Sequence, residues 1–213
     1  MTADPGHDGI ELRNHWWWRP GWQLGTRYYT WHLTFPAEPP FRRLVGSYQH
    51  TLSGFAQLDA VPMEWLHLTL VGVGDATAVT HAQVCRIADR VRREAAVLPP
   101  VALTFQRAVV LNEAVALVAE PNESLADLRR MLTAVVSESL PAAPAPAVAP
   151  RAFVPHVSVA YVNADSAGLH VSRAVDQTPT PAAVAVSPLL SLIELHRDNR
   201  QYEWRTIEDI PLG

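Results

Sequence analysis

Two short apolar segments of the chain each carry a histidine followed, two residues later, by a hydroxyl side chain. The first contains His67 and Thr69, and the second contains His156 and Ser158. Alternate side chains of a β-strand point to the same face, so each histidine shares a face with its hydroxyl. Two imidazoles can serve as the base and the acid of a phosphodiester reaction, while hydroxyls donate to the non-bridging oxygens. The pattern therefore predicts acid–base chemistry at a phosphate.

Two further triplets of the same form compete with this pair. His32 and Thr34 share one face of a segment rich in aromatic and β-branched residues, which is typical of a strand. His170 and Ser172 lie in a segment with helical periodicity, where residues i and i+2 do not face the same way, so we exclude them. His32 remains open as either a cleft-lining residue or a hydrogen-bonded structural histidine.

Composition limits the classes of protein that fit. The 213 residues are 48% hydrophobic, which is enough for a core, and the net charge of −4 argues against a broad nucleic-acid-coating surface. The single cysteine excludes an intramolecular disulfide. No apolar run approaches the ~20 residues that span a bilayer, and the acidic, polar N-terminus does not resemble a signal peptide. We expect a soluble cytoplasmic protein with no membrane association and no obligate protein partner.

The order of predicted elements indicates an internal duplication. Strands and helices follow the order β-α-β-α-β-β-α-β-α-β-β, with the two histidine strands in equivalent places of two halves. We therefore predict an α+β, bilobal duplicated fold, in which two sheets face a central cleft and helices lie outside. The predicted strands span 27–35, 64–73, 101–108, 114–120, 154–163, 187–196 and 202–210, and the predicted helices span 41–52, 77 or 80 to 96, 122 or 124 to 140, and 166–177. An extended connection of Pro, Ala and Val over 141–150 precedes the second motif.

Four of the seven tryptophans fall between residues 16 and 22. We assign residues 1–26 to an N-terminal tail and Trp-rich segment, and residues 27–213 to a single bilobal domain. Packing of this segment on the core is the favoured interpretation, since large aromatic side chains mostly bury area. The alternative is a stacking surface for a nucleobase at the mouth of a site.

The two motifs resemble those of the 2H phosphoesterase family, which includes the bacterial 2′-5′ RNA ligases. They read His67-Leu68-Thr69-Leu70 and His156-Val157-Ser158-Val159, stand 89 residues apart, and the second follows a proline as in the family. The resemblance covers roughly residues 27–210 and implies antiparallel-rich sheets around the cleft. It also implies that His67 and His156 face each other as acid and base, with Thr69 and Ser158 holding the phosphate. It implies no metal and no other cofactor.

The resemblance suggests further substrate-binding residues. His32 falls in the family's first strand, which borders the cleft. Tyr202 and Arg197, near the last turn, could reach a base or a phosphate, although solvated turn residues are the favoured interpretation. Arg151 precedes the second motif and is either a phosphate anchor or a plain surface charge.

The predicted function is that of an enzyme. The resemblance implies a metal-independent phosphodiesterase that opens 2′,3′-cyclic phosphates to 2′-phosphates, or cleaves and joins 2′-5′ linkages, in RNA or nucleotides. The partner is an RNA end or a small nucleotide phosphodiester. The alternatives are a non-catalytic module that binds RNA ends or nucleotides, and an enzyme of the same fold that acts on a small non-RNA phosphodiester. Zinc-protease spacing, cysteine clusters and phosphate-binding glycine loops do not occur in the sequence.

Overall fold

A computed structural model describes residues 10–36, 38–120, 122–140, 153–185 and 188–212. The predicted connection over 141–150 and Arg151 lie outside these residues. The strands are β1 (Glu11–Leu12), β2 (Tyr28–Thr34), β3 (Leu58–Ala60), β4 (His67–Asp75), β5 (Leu103–Val110), β6 (Ala114–Ala119), β7 (His156–Val162), β8 (Ser166–Ala167), β9 (Ala183–Ala185), β10 (Leu189–His196) and β11 (Glu203–Pro211). The helices are α1 (Pro39–Leu52), α2 (His81–Ala95), α3 (Glu123–Ser139) and α4 (Leu169–Asp176).

Two antiparallel sheets form the body of the molecule, which confirms the α+β prediction. One sheet has the strand order β11-β10-β2-β4, and the other has the order β3-β7-β6-β5-β9. Helices α2 and α3 pack together, with α3 against β4, while α1 and α4 pack together over the five-stranded sheet. The two motif strands, β4 and β7, therefore belong to different sheets. No helix in the described ranges is long and apolar enough to cross a membrane.

The helices begin where local chemistry favours a start. The Thr80 hydroxyl accepts a hydrogen bond from the Gln83 amide, and the Gln83 side chain bonds back to the Thr80 amide, which completes a capping box for α2. The Asn122 side chain accepts from the Leu125 amide and caps α3. Of the start positions left open by the sequence, the structure therefore selects Thr80 and Asn122.

Several predicted boundaries were wrong for identifiable reasons. Strand β4 begins at His67 rather than at 64, because residues 63–65 form a 3₁₀ turn after Pro62. The helix predicted from 166 begins at Leu169, because Ser166 and Ala167 pair with β1. Residues 11 and 12 are consequently not part of a loose tail, and Leu12 is buried in the core. Strands of two or three residues are too short to show a period of alternation.

Both motif strands contain a bulge just after the motif hydroxyl. In β4, His32 and Trp31 of β2 pair with Thr69 and Val71, which leaves Leu70 as the extra residue. In β7, the same shift in register leaves Val159 as the extra residue. A bulge reverses the alternation of faces beyond it. The residue five positions after each motif histidine consequently faces the same side as that histidine.

Candidate active site

A cleft of about 630 Å³ lies between the two sheets, and the N-terminal segment contributes to its rim. Both motif histidines line it, together with the hydroxyl that follows each of them. Its other lining residues are His15, Arg19, Trp22, Tyr28, Thr30, His32, Gly72, Leu111, Asn112, Glu113, Ala114, Tyr161, Leu195 and Tyr202. The duplicated motifs therefore meet in one cavity, as the sequence pattern requires.

The two motif histidines are held in the same way. Nδ1 of His67 lies 2.8 Å from the carbonyl oxygen of Trp65, and Nδ1 of His156 lies 2.8 Å from that of Val154. A carbonyl oxygen can only accept, so Nδ1 carries the proton in each ring. The Nε2 atom of each ring is left with a lone pair when neutral and a proton when charged. One such ring can remove a proton from a nucleophile and the other can donate one to a leaving group.

The environment of His67 favours its neutral form. The pKa of His67 is lowered to about 4, mainly by burial; the hydrogen bond to Trp65 acts in the opposite direction, and the nearby charge of His156 contributes to the lowering. At neutral pH the Nε2 lone pair of His67 is therefore free to accept a proton.

His32 supports the first motif from the neighbouring strand. Its ring stacks on that of His67, with ring centres 4.4 Å apart and an angle of 6° between the planes. Its Nε2 lies 3.2 Å from Oγ1 of Thr69, while its buried Nδ1 has no hydrogen-bond partner among the described residues. Burial holds the pKa of His32 well below its usual value, so this ring is neutral. His32 borders the cleft and contacts both members of the first motif.

The second motif is supported by Tyr161, which the sequence analysis missed. Strict alternation places Tyr161 on the core face with Val157, but the bulge at Val159 turns it into the cleft. Its hydroxyl interacts with that of Ser158, and burial raises the pKa of Tyr161 above its usual value. The equivalent position of the first motif is Gly72, so comparing the two halves of the sequence gives no signal for Tyr161.

Tyr202 lies in the cleft wall and is not a solvated turn residue. Its ring packs edge-on against His67, with centres 5.8 Å apart, and its hydroxyl lies 3.0 Å from Nε2 of His15. Arg197 is also buried, and it donates to the carbonyl oxygen of His15 at 2.7 Å. The solvated interpretation was therefore wrong for both residues, and Arg197 anchors the N-terminal segment.

His15 is a further residue that the sequence analysis missed. It stacks on Tyr161 with ring centres 4.3 Å apart, and its Nδ1 lies 3.2 Å from Oε2 of Glu113. Burial, together with the charges of Arg19 and Arg197, lowers the pKa of His15 to about 3. No spacing pattern connects residue 15 to a motif 52 or 141 residues away, so only the fold brings it into the cleft.

The Trp-rich segment is partly buried and partly exposed. Trp16 packs among His15, Tyr161 and Tyr202, as the packing interpretation expects. Trp17 and Trp18 remain about half exposed.

His170, which the sequence analysis excluded, lies on the exposed face of α4. Among the described residues, no group of three or more His, Cys, Asp or Glu side chains is arranged to hold a metal ion.

The sequence profile of the 2′-5′ RNA ligase superfamily matches residues 36–199, which is more than three-quarters of the chain. The chain belongs to this superfamily. It is thus one of the 2H phosphoesterases, a superfamily of phosphodiesterase-type enzymes. No curated protein sequence matches the chain.

Solved structures agree with this assignment at the level of the fold. TT0787 of Thermus thermophilus is 17% identical, with a TM-score of 0.64 over 87% of this chain and 97% of its own. LigT of E. coli in its apo form is 16% identical, with a TM-score of 0.58 over 88% and 98%. LigT has also been solved in complex with 3′-AMP, and that structure is similar to this 2H phosphoesterase with a TM-score of 0.59.

Proposed function

We propose that this 2H phosphoesterase is a metal-independent phosphodiesterase that opens 2′,3′-cyclic phosphates at RNA or nucleotide ends to give 2′-phosphates. The observation that carries the proposal is the equivalent setting of His67 and His156. In each ring, Nδ1–H donates to the backbone carbonyl oxygen two residues earlier, and this bond does not use Nε2. Both rings line the same cleft. LigT has a similar fold and has been solved in complex with 3′-AMP, which supports a nucleotide as the substrate class.

In the proposed reaction, His67 is the base, because its low pKa keeps Nε2 unprotonated. Water gives a proton to Nε2 of His67 as its oxygen attacks the phosphorus. The bond between phosphorus and the 3′-oxygen breaks, and Nε2–H of His156 protonates the departing oxygen. The product carries a 2′-phosphate and a 3′-hydroxyl. Each proton transfer in this sequence is one that a histidine side chain can perform.

The hydroxyls of the motifs have a different task. We assign Thr69 and Ser158 to the non-bridging oxygens, which gain negative charge as the nucleophile attacks. His32 can donate Nε2–H to Oγ1 of Thr69, since its Nδ1 finds no partner within the part of the chain that the structure describes. That bond leaves the Thr69 hydroxyl proton free to point at the phosphate. His32 is thus a positioning residue, and Tyr202 forms part of the wall against which the substrate lies.

The same residues can form and cleave 2′-5′ linkages in the proposed mechanism. If a 5′-hydroxyl attacks in place of water, the bond to the 3′-oxygen breaks in the same way and a 2′-5′ linkage results. Cleavage of such a linkage is the reverse reaction, in which the two histidines exchange their roles as acid and base. Joining and cleaving therefore need no residues beyond those used for hydrolysis.

The test is an activity assay in EDTA. Purified protein is offered 2′,3′-cyclic nucleotides, 2′-5′ dinucleotides and 3′,5′-cyclic nucleotides. We expect turnover of the first two that survives chelation and falls by at least ~10²-fold in His67→Ala and in His156→Ala, the usual scale for a lost general acid or base. His170→Ala is the matched control, because it removes a histidine from a similar triplet on the exposed face of α4.

Each outcome distinguishes the candidate functions. Unchanged turnover in both motif variants would overturn the proposed mechanism. Tight nucleotide binding without turnover would favour a non-catalytic module that binds RNA ends. Turnover confined to phosphodiesters other than those of RNA would favour a same-fold enzyme of different substrate class. Circular dichroism of each variant shows that lost activity does not reflect lost folding.

A further inference from the structure

Two tryptophan rings at the rim of the cleft are exposed to an unusual extent. Trp17 is 48% and Trp18 is 47% exposed, whereas Trp31 is fully buried. Tryptophan side chains contribute most to stability when they are buried, so two exposed neighbours indicate a surface that contacts something else. The proposed catalytic cycle does not use either ring.

The exposed rings are held rather than loose. Nε1 of Trp17 donates to Oε1 of Glu113 at 3.0 Å, and the guanidinium of Arg19 lies 5.4 Å from the centre of the Trp17 ring. Arg19 also donates to Oε2 of Glu113 at 2.5 Å. The guanidinium of the buried Arg197 lies 5.9 Å from the Trp18 ring. Rings fixed in this way lose little conformational entropy when a ligand stacks on them.

The backbone beneath the rings is fixed as well. The amide of His15 donates to the carbonyl of Val162 at 2.8 Å, which ties the segment to the end of strand β7. The amide of Trp22 donates to the carbonyl of Arg19 at 2.9 Å and closes a tight turn. Gly21 in that turn has a φ of +81°, a conformation that side chains rarely adopt. Trp17 and Trp18 thus sit between two anchored points.

The surface formed by these rings is continuous with the cleft. Glu113 and Arg19, the side chains that hold Trp17, also line the cavity that contains His67 and His156. Trp22, one turn further on, lines the cavity and stacks on Tyr28 with ring centres 5.7 Å apart. A ligand that places a phosphate between the histidines can therefore extend over the rim onto the exposed rings.

The charges around the rings favour bases over phosphates as the contacted groups. Arg19 is paired with Glu113, Arg27 with Asp198 at 2.8 Å, and Arg13 with Glu11 at 2.5 Å. These guanidinium charges are compensated and offer little attraction to a phosphate backbone. Aromatic faces, in contrast, stack on any nucleobase.

We propose that Trp17 and Trp18 form a stacking platform for a base of a single-stranded RNA whose reacting end lies in the cleft. The proposal rests on the proposed function and deepens it, because it makes the preferred substrate an oligonucleotide rather than a free nucleotide. The base stacked on the platform belongs to a nucleotide next to the terminal one, since the terminal nucleoside occupies the cavity itself.

The test compares two substrates that share the same reacting group. One substrate is a four-nucleotide RNA that ends in a 2′,3′-cyclic phosphate, and the other is the corresponding cyclic mononucleotide. For each variant we measure the ratio of kcat/KM for the RNA to kcat/KM for the mononucleotide. We expect the Trp17→Ala, Trp18→Ala double variant to lower this ratio about ten-fold, the effect of losing one stacked base. The Trp17→Phe, Trp18→Phe variant keeps two aromatic faces and should retain most of the ratio. Leu24→Ala, an apolar side chain of the same segment that is 71% exposed, should leave it unchanged.

A second measurement separates failure of the platform from failure of the enzyme. Binding of fluorescently labelled RNA is followed by anisotropy, which needs no turnover. If neither substrate is turned over, the proposed function fails, yet a ten-fold weaker binding of RNA by the double alanine variant still supports the platform. Equal ratios and equal RNA affinities for wild type and double alanine variant would overturn it. The platform proposal would also be overturned if the double alanine variant lost binding to phosphatidylcholine vesicles but kept its binding to RNA.

Discussion

Three imidazoles that line the cleft, and whose surroundings favour their neutral forms, should make this protein sensitive to acid. Burial is the largest cause that lowers the pKa in each case, to about 4 for His67, to about 3 for His15, and well below 6.5 for His32. In the unfolded chain these side chains titrate near 6.5. Between about pH 6.5 and 4 the unfolded chain therefore binds protons that the folded chain does not. Stability must fall as the pH falls through this window.

The size of the effect follows from the pKa differences. One group that binds its proton only in the unfolded state changes the free energy of unfolding by about 1.4 kcal/mol per pH unit. For His67 the window from 6.5 to about 4 corresponds to a loss of about 3 kcal/mol. Three such groups give a slope of about 4 kcal/mol per pH unit at its steepest. A domain with a free energy of unfolding of about 6–10 kcal/mol, within the ordinary range, should therefore unfold between about pH 5 and 4.

Urea denaturation followed by tryptophan fluorescence at several pH values between 7.5 and 4.5 measures this slope. In His32→Gln the side chain can still reach Thr69 but cannot titrate, so the slope should decrease by about 1.4 kcal/mol per pH unit. His67→Gln should have a similar effect down to about pH 4. The exposed His170 provides the control, and His170→Gln should leave the slope at its wild-type value. A free energy of unfolding that stays flat from pH 7 to 5, or an unchanged slope in both buried variants, would refute the reasoning.

Three further predictions concern single side chains. Thr69→Val keeps the shape of the residue but removes its hydroxyl donor. It should lower kcat for a 2′,3′-cyclic nucleotide by about 10²-fold with little change in KM. A higher KM with unchanged kcat would show that the hydroxyl acts in binding alone. Thr80→Ala removes the capping box with Gln83 and should lower the free energy of unfolding by about 1 kcal/mol, measured in urea, whereas unchanged stability would mean that water replaces the cap. Gly168→Ala places a Cβ 2.6 Å from the Ile10 side chain and should cost about 1–3 kcal/mol in the same measurement, unless the N-terminal segment shifts freely.

The sequence predicted the elements that carry a long hydrophobic period. The seven longer strands and four helices of the described ranges, and the pair of motifs at His67 and His156, were all visible, because each rests on a pattern repeated over several residues. The two-residue strand at Glu11–Leu12 was not, because its partner at Ser166–Ala167 lies more than 150 residues away. Pairings between such distant segments leave no local trace in the sequence.

The part of the site that was predictable from the sequence is the part that follows from side chains alternating between the two faces of a strand. Alternation predicted that His67 and Thr69 share a face, as do His156 and Ser158, while the family resemblance implied that the two pairs face each other; all four side chains line one cavity. Tyr161 was missed because a single extra residue in the strand moved it to the other face. The assigned roles of these residues, and of Tyr202 and His32, remain predictions that the kinetic assays address. Arg151 lies outside the described residues and remains a sequence-based prediction.

The two bulged strands present His67 and His156 in equivalent local settings, whereas the walls of the cleft differ between the two halves. At the position five residues after the motif histidine, one half has the phenol ring of Tyr161, and the other half has Gly72, across which Tyr28 lies from the neighbouring strand. In the proposed reaction, the two ester substituents of the phosphoryl group would therefore contact walls of different shape. The proposed hydrolysis and its reverse would then differ in which imidazole holds the proton, while the nucleotide would keep one orientation in the cleft.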